Sequence, residues 1–233
     1  YWDKKAGACT CSSVTCTKDT LTAYDKDESC RGITDKGVLQ GGLKISSSSL
    51  TSLDLTGVTE IDGMFWLTSQ DTLASFSAPN LITVTGEIII GRPDQGNTKL
   101  ATIDLPLLNT TNGIEVSSND VLTQLSLPSL TSNTAGLTVE ENAELNDISL
   151  NKLTQSIGDD SNLGLEITNN VELDSIGLTS MQSCSDSNCM EIFISKNRNN
   201  LTILLGTHLD DPDESWYNSE STLDAKIAFN HPP

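Results

Sequence analysis

A leucine-rich block returns along this chain at nearly regular intervals, and that recurrence limits the fold more than any other feature. Leu50-x-x-Leu53-x-Leu55 is followed by Leu73-x-x-Phe76-x-Ala78, Leu100-x-x-Ile103-x-Leu105 and Leu122-x-x-Leu125-x-Leu127. Leu145-x-x-Ile148-x-Leu150 and Leu173-x-x-Ile176-x-Leu178 continue the series, and Leu201-x-x-Leu204 begins a seventh copy. First leucines are separated by 22 to 28 residues. A repeat of this length is the mark of a solenoid, in which each unit buries its apolar face only against its neighbours.

A second motif interleaves with the first: Gly42-Leu43-x-Ile45, Gly63-Met64-x-Trp66, Gly113-Ile114-x-Val116, Gly136-Leu137-x-Val139 and Gly164-Leu165-x-Ile167. Gly86-Glu87-Ile88-Ile89-Ile90 carries one extra residue, read as a bulge, and Met190-Glu191-Ile192-Phe193-Ile194 lacks the glycine. Alternation of apolar and variable residues is the strand period. A third apolar pair lies between the blocks, at Val58 and Ile61, Leu81 and Val84, and Leu153 and Ile157. Each repeat therefore supplies three short strands and three corners, which predicts an all-β parallel β-helix of about six to seven turns.

The corners carry their own signature. Three positions beyond the glycine strands stand Asn119, Asn142, Asn170 and Asn197, with Ser48 and Pro93 at the earlier turns. Asparagine tolerates a left-handed backbone, and its amide both donates and accepts. These four are expected to form a ladder through the C-terminal half. Pro79, Pro106 and Pro128 follow leucine strands directly, where a residue without a donor ends pairing. About six apolar side chains per turn, at roughly 1.5–3 kcal/mol each, nearly cancel against chain entropy, so no turn is stable alone. Open stack ends invite edge pairing. Residues 1–40 are accordingly read as a cysteine-rich N-terminal cap, 41–205 as the coil and 206–233 as a second cap, with a short helix over Ser221–Phe229.

The composite string, as in Ile61-Asp62-Gly63-Met64-Phe65-Trp66 and Val116-Ser-Ser-Asn119-Asp-Val-Leu122-Thr-Gln-Leu125-Ser-Leu127-Pro128-Ser-Leu130, resembles receptor L domains. Those are the right-handed single-stranded β-helices of insulin- and EGF-receptor ectodomains. The Ser/Thr-rich, acidic variant seen here is similar to fungal GPI-anchored cell-wall organisation proteins that carry L-domain-like repeats. The resemblance spans about residues 38–205. It implies right-handed winding and an extracellular, wall- or membrane-held glycoprotein that supports cell-wall integrity without catalysis. No Ser/Thr-rich stalk or GPI signal accompanies the repeats, so the chain is expected to be a trimmed or mature ectodomain.

Composition agrees with that setting. The net charge is −19, from 13 basic and 32 acidic residues, a field that repels nucleic-acid backbones and anionic leaflets. No apolar run is long enough to span a bilayer. Six cysteines indicate an oxidising compartment. Cys184 and Cys189 bracket a short polar loop and are expected to pair, whereas the pairing among Cys9, Cys11, Cys16 and Cys30 stays open. Their spacing is not that of a zinc cradle. Asn109 and Asn200 each begin a glycosylation sequon, Asn109-Thr110-Thr111 and Asn200-Leu201-Thr202.

Chemistry is sparse. Strand alternation places Asp54, Ser77, Asp104, Ser126, Ser149 and Gly177 in one outward row on the leucine strands. Asp54 and Asp104 would stand two turns apart, roughly 10 Å, at or beyond the reach of an inverting glycosidase pair. A solvated polar face is the favoured reading. The run Asp210-Asp211-Pro212-Asp213-Glu214 lacks a calcium-loop pattern. His208 and His231 are remote from any serine or cysteine partner in the repeat. No catalytic residue, metal site or cofactor is expected. On the glycine strands the outward row is read as Lys44, Phe65, Ile89, Glu115, Thr138, Glu166 and Phe193. Phe65 and Ile89 form an apolar pair that marks a partner site or, preferably, a surface covered by the N-terminal cap. Thr138 and Thr168 do not extend into an ice-binding array. The sequence thus favours a non-enzymatic surface glycoprotein presenting a rigid β-helix to cell-wall polysaccharide or a surface protein. The alternative is a secreted lectin or polysaccharide-active β-helix enzyme.

Overall fold

The computed structural model describes residues 2–3, 8–9, 22–24, 30–32, 36–46, 50–156, 164–181, 192–198, 201–205 and 226–229. The described chain is all β and winds into a parallel β-solenoid of about six turns. Leucine strands stack into an eight-stranded sheet: Leu53–Asp54, Ser75–Ser77, Thr102–Asp104, Gln124–Ser126, Asp147–Ser149, Ser175–Leu178, Thr202–Leu205 and Lys226–Phe229. Every neighbouring pair in it is parallel. The last strand occupies part of the span expected to be helical. Its Ile227 registers with Ile203, so pairing along the open sheet edge overrides local helix preference there.

Glycine strands stack into a second sheet through Leu43–Ser46, Phe65–Thr68, Thr83–Ile90, Thr110–Ser117, Leu137–Glu140, Leu165–Thr168 and Ile192–Ser195. The third side of the coil joins it, because Thr83–Ile90 and Thr110–Ser117 run through the corner without a break. The register between these two slips between Val84 and Glu87, which is the expected bulge at Gly86. Gly42, Gly63 and Gly86 lie on top of one another. A Cβ on Gly63 would meet Gly42 N at 2.6 Å, and one on Gly86 would meet Gly63 C at 2.8 Å. Close backbone approach excludes a side chain at this corner, and the positive φ of Gly42 (81°) and Gly63 (137°) disfavours one as well.

The interior is a set of single-residue rows. All leucine-block positions from Leu50 to Leu178 are buried. In the seventh copy Ile203, not Leu204, registers with Ile176 and is buried, so that copy is one residue shorter than its leucine spacing implied. On the third side Val84, Thr111, Asn133 and Ser156 form one row. Ser156 takes the place expected for Ile157, which lies outside the described residues, and its hydroxyl donates to Asn133 Oδ1 at 3.0 Å.

The asparagine ladder is present and longer than expected. Asn119 N donates to Asn142 Oδ1 at 3.1 Å, Asn142 N to Asn170 Oδ1 at 3.1 Å and Asn170 N to Asn197 Oδ1 at 2.9 Å. Asn97 continues it, donating to Asn119 Oδ1 at 2.8 Å, and Gln70 N donates to Asn97 Oδ1 at 3.1 Å. Pro93 is not the ladder residue of its turn, because the corner Gly91–Asn97 is longer than the others. Nor do the ladder asparagines adopt the left-handed conformation. Ser69, Ser118, Glu141, Asn169 and Lys196, each one residue earlier, have φ between 54° and 56°. The left-handed residue turns the chain so that the following amide points inward, where it satisfies buried backbone groups. Prolines have a definite role too. Leu81 N donates to Ala78 O at 3.2 Å and Leu130 N to Leu127 O at 3.2 Å, placing Pro79 and Pro128 second in four-residue turns, the position their fixed φ suits.

Candidate functional site

One position in the outward row of the glycine sheet differs from expectation, with consequences for everything around it. Leu43, Phe65 and Ile88 register with one another, as do Lys44, Trp66 and Ile89. Phe65 therefore points inward and is 0% exposed, with its ring 5.1 Å from that of Phe76. The reason is one additional residue after Gly63. Met64 occupies the slot that an inward residue fills after Gly42, and is exposed. Because strand side chains alternate, a one-residue slip moves each of them to the opposite face. Phe65 is thus core, and Trp66 is the outward aromatic.

Trp66 lies between two cations. Lys44 Nζ sits 4.2 Å from the ring centroid and Arg92 Cζ 4.6 Å from it. Ile89 stands in the outward row as expected, yet is only 1% exposed. It forms the apolar end of a groove of about 590 Å³, bordered on one side by Arg92, Pro93 and Gln95 of the long corner. The groove's floor continues through Glu115, Thr138 and Glu166, which register on successive turns, with Glu140 beside them. The cap expected to cover Ile89 falls largely outside the described residues. Of the described strands in residues 1–40, Trp2–Asp3 with Ala8–Cys9 and Thr22–Tyr24 with Cys30–Gly32 form two antiparallel pairs, whereas Val38–Gln40 runs parallel to Glu60–Asp62 and belongs to the coil.

Electrostatics in the groove are lopsided. Arg92 Nε lies 3.3 Å from Glu115 Oε2. Glu140 has its pKa raised, first by burial and then by the like charges of Glu166, Glu141 and Glu115. The carboxylates are spread along the floor. Among the described residues no three His, Cys, Asp or Glu side chains converge closely enough to hold a metal ion. A pKa raised in the folded state means that folding favours the protonated form. Glu140 then contributes stability below the ordinary carboxylate pKa of about 4.3, and loses it as pH rises through the raised value. Glu140→Gln is expected to raise the melting temperature at pH 7 relative to the wild type, and to change it little at pH 4. An equal shift at both pH values would mean that the charge on Glu140 is not what destabilises the wild type.

Comparison of the chain with protein-family models, curated proteins and solved structures finds no match. On the opposite sheet the row Asp54, Ser77, Asp104, Ser126, Ser149, Gly177 has the expected register. Ser77 Oγ donates to Asp104 Oδ2 at 3.0 Å, and Gln124 Nε2 to Asp147 Oδ2 at 3.1 Å. These polar groups bond to one another across the turns. Thr138 and Thr168 separate, the first onto the groove floor and the second into a buried position.

Asn109 lies half-buried on the third side, its Nδ2 donating to Ser129 O at 3.0 Å. The sequon hydroxyl of Thr111 is buried and donates to Gly86 O at 3.1 Å. Asn200, Cys11, Cys16, Cys184, Cys189, the acidic run from Asp210, and both histidines lie outside the described residues. Arg92 and Glu140, which line the groove, and Trp66, on whose ring Arg92 rests, are residues that sequence reasoning did not single out. The available signal was the 27-residue interval between Leu73 and Leu100, whose added length is the bulge at Gly86 and the corner that carries Arg92.

Proposed function

We propose that this chain is a non-enzymatic extracellular glycoprotein of the cell surface or wall, whose solenoid holds the groove as a binding site for an extended glycan or peptide. The observation that carries the reading is the groove itself. Ile89, Glu115, Thr138 and Glu166 stand on successive parallel strands at roughly 4.8 Å intervals, on strands whose following corner is tied by the asparagine ladder. A linear polymer lying across the strands would meet a rigid, pre-organised row, so little ordering free energy is lost on binding. Likeness of the repeat to receptor L domains and fungal wall-organisation proteins, the six cysteines and the two sequons support the extracellular setting.

The test is retention on insoluble wall polysaccharides, with reducing ends assayed in the same samples. Wild type is expected to be retained without releasing reducing ends. Thr138→Trp fills the groove from an outward position and is expected to abolish retention, whereas Asp104→Asn on the opposite sheet leaves it unchanged. Equal retention of both variants would place the binding surface elsewhere.

One observation favours the runner-up, a polysaccharide-active enzyme. Burial and the nearby Glu166, Glu141 and Glu115 raise the pKa of Glu140, which shares the groove with Glu115 and Glu166, and a pair of carboxyl groups, one with a raised pKa, is the apparatus of glycoside hydrolysis. Reducing-end release that disappears in Glu140→Gln would establish that reading instead.

A further inference from the structure

Four buried side-chain polar atoms among the described residues lack a hydrogen-bond partner: Trp66 Nε1, Thr68 Oγ1, Arg92 Nε and Asn133 Nδ2. Three of these belong to one place. Trp66 and Thr68 alternate along a single strand and so share its outer face. Gly91 N donates to Leu67 O at 2.8 Å, which brings the start of the corner that carries Arg92 opposite Thr68. The Arg92 guanidinium then lies over the Trp66 ring, with Lys44 also against it. Arg92 Nε is 3.3 Å from Glu115 Oε2, near enough for attraction between charges yet not aligned as a hydrogen bond. Thr68 is 0% exposed.

The chemistry of the three is one-sided. An indole N–H and a guanidinium N–H only donate, and a threonine hydroxyl can donate. Leaving buried donors unmatched is costly, and such a group in a native protein calls for an explanation. The partner that answers three unmatched donors on this side of the strand, with two cations against the same ring, is an oxygen anion.

We propose that Trp66, Thr68 and Arg92, flanked by Lys44, form a subsite for a carboxylate at the head of the groove. Arg92 belongs to both, so the subsite rests on the groove reading for the remainder of its ligand. Entry requires Arg92 to exchange Glu115 for the incoming carboxylate. Its half-exposed side chain, on the long corner, is placed to do so. The chain's net charge of −19 repels a polyanion but does not exclude a single carboxylate. Screening at physiological ionic strength acts over about 8 Å, and both cations lie closer than that to the ring.

The test reads Nε1–H directly. In the ¹⁵N-labelled protein the Trp66 indole resonance is assigned by its loss in Trp66→Phe, and then followed during titration at constant ionic strength. Acetate, galacturonate and N-acetyl-aspartate amide are the probes, with methyl glucoside as the neutral control. A saturable shift with the three carboxylates and none with the control is expected. Arg92→Lys keeps the charge but loses the Nε donor, and should weaken binding roughly tenfold or more. Thr68→Val should weaken it less. Tighter binding of galacturonate would identify the source as an acidic sugar, and tighter binding of the aspartate derivative an acidic side chain. An indole resonance that does not saturate with any carboxylate, or unchanged affinity in Arg92→Lys, would overturn the subsite. Polysaccharide retention in the face of that result would leave the groove reading intact, while a saturable shift without retention would do the reverse.

Discussion

Asn142→Ala is expected to destabilise the protein by about 3 kcal/mol or more, a large fraction of the stability of an ordinary domain. The side chain is fully buried, and its Oδ1 accepts from both Asn119 N at 3.1 Å and Asn119 Nδ2 at 3.0 Å. Its Nδ2 donates to Val116 O at 3.0 Å and Glu140 O at 2.9 Å, besides reaching Asn170 Oδ1. Alanine leaves the Asn119 amide unmatched in a place water cannot reach, and unmade bonds at a buried donor cost more than made ones gain. The left-handed backbone at Glu141 loses its compensation as well. Because each turn is stabilised mainly by its neighbours, the damage should also reduce cooperativity between the two halves of the coil. Urea unfolding followed by circular dichroism measures both effects. Asn146→Ala, an exposed asparagine nearby, is the control and should stay within about 0.5 kcal/mol of wild type. If the two variants unfold alike, the ladder is ornamental and the stack is held by its apolar rows alone.

Phe65→Ala should cost about 3–5 kcal/mol, the usual range for removing a buried phenylalanine. The ring lies between Leu43 and Ile88 in its row and packs at 5.1 Å and 42° against Phe76 of the other sheet. Little else lies near that is flexible enough to fill the cavity, because each neighbour belongs to a paired strand. Trp66→Ala is the informative companion. It removes a larger side chain from the outer face, and should destabilise less while taking away the ring on which Arg92 rests. Equal and small effects for both would mean that Phe65 faces solvent and that the second glycine strand is shifted by one residue against the third.

How much of this was legible beforehand can be judged from these residues. Asn142 and Asn170 announced themselves, because their offset from the glycine strands repeats at each turn. Phe65 did not. The string Gly63-Met64-Phe65-Trp66 fits two registers with an apolar residue inward in either, and hydrophobic pattern alone does not separate them. Asn97 was missed for a related reason: the longer corner carries it four residues past the position where the repeat would put it. Arg92, Glu115 and Glu140 come from different turns. No local pattern links them, and only the lateral stacking of strands makes them neighbours.

Periodicity by itself settled the all-β coil, its parallel rows of leucine and isoleucine, and the inward amides, since a repeating unit with one apolar face has few ways to hide it except against its own copies. Which face Trp66 takes, where the groove lies and which donors remain unanswered were decided in three dimensions. Those properties depend on single-residue slips and on the reach of one corner loop, and side chains that alternate with period two turn so small a difference into the distinction between core and surface.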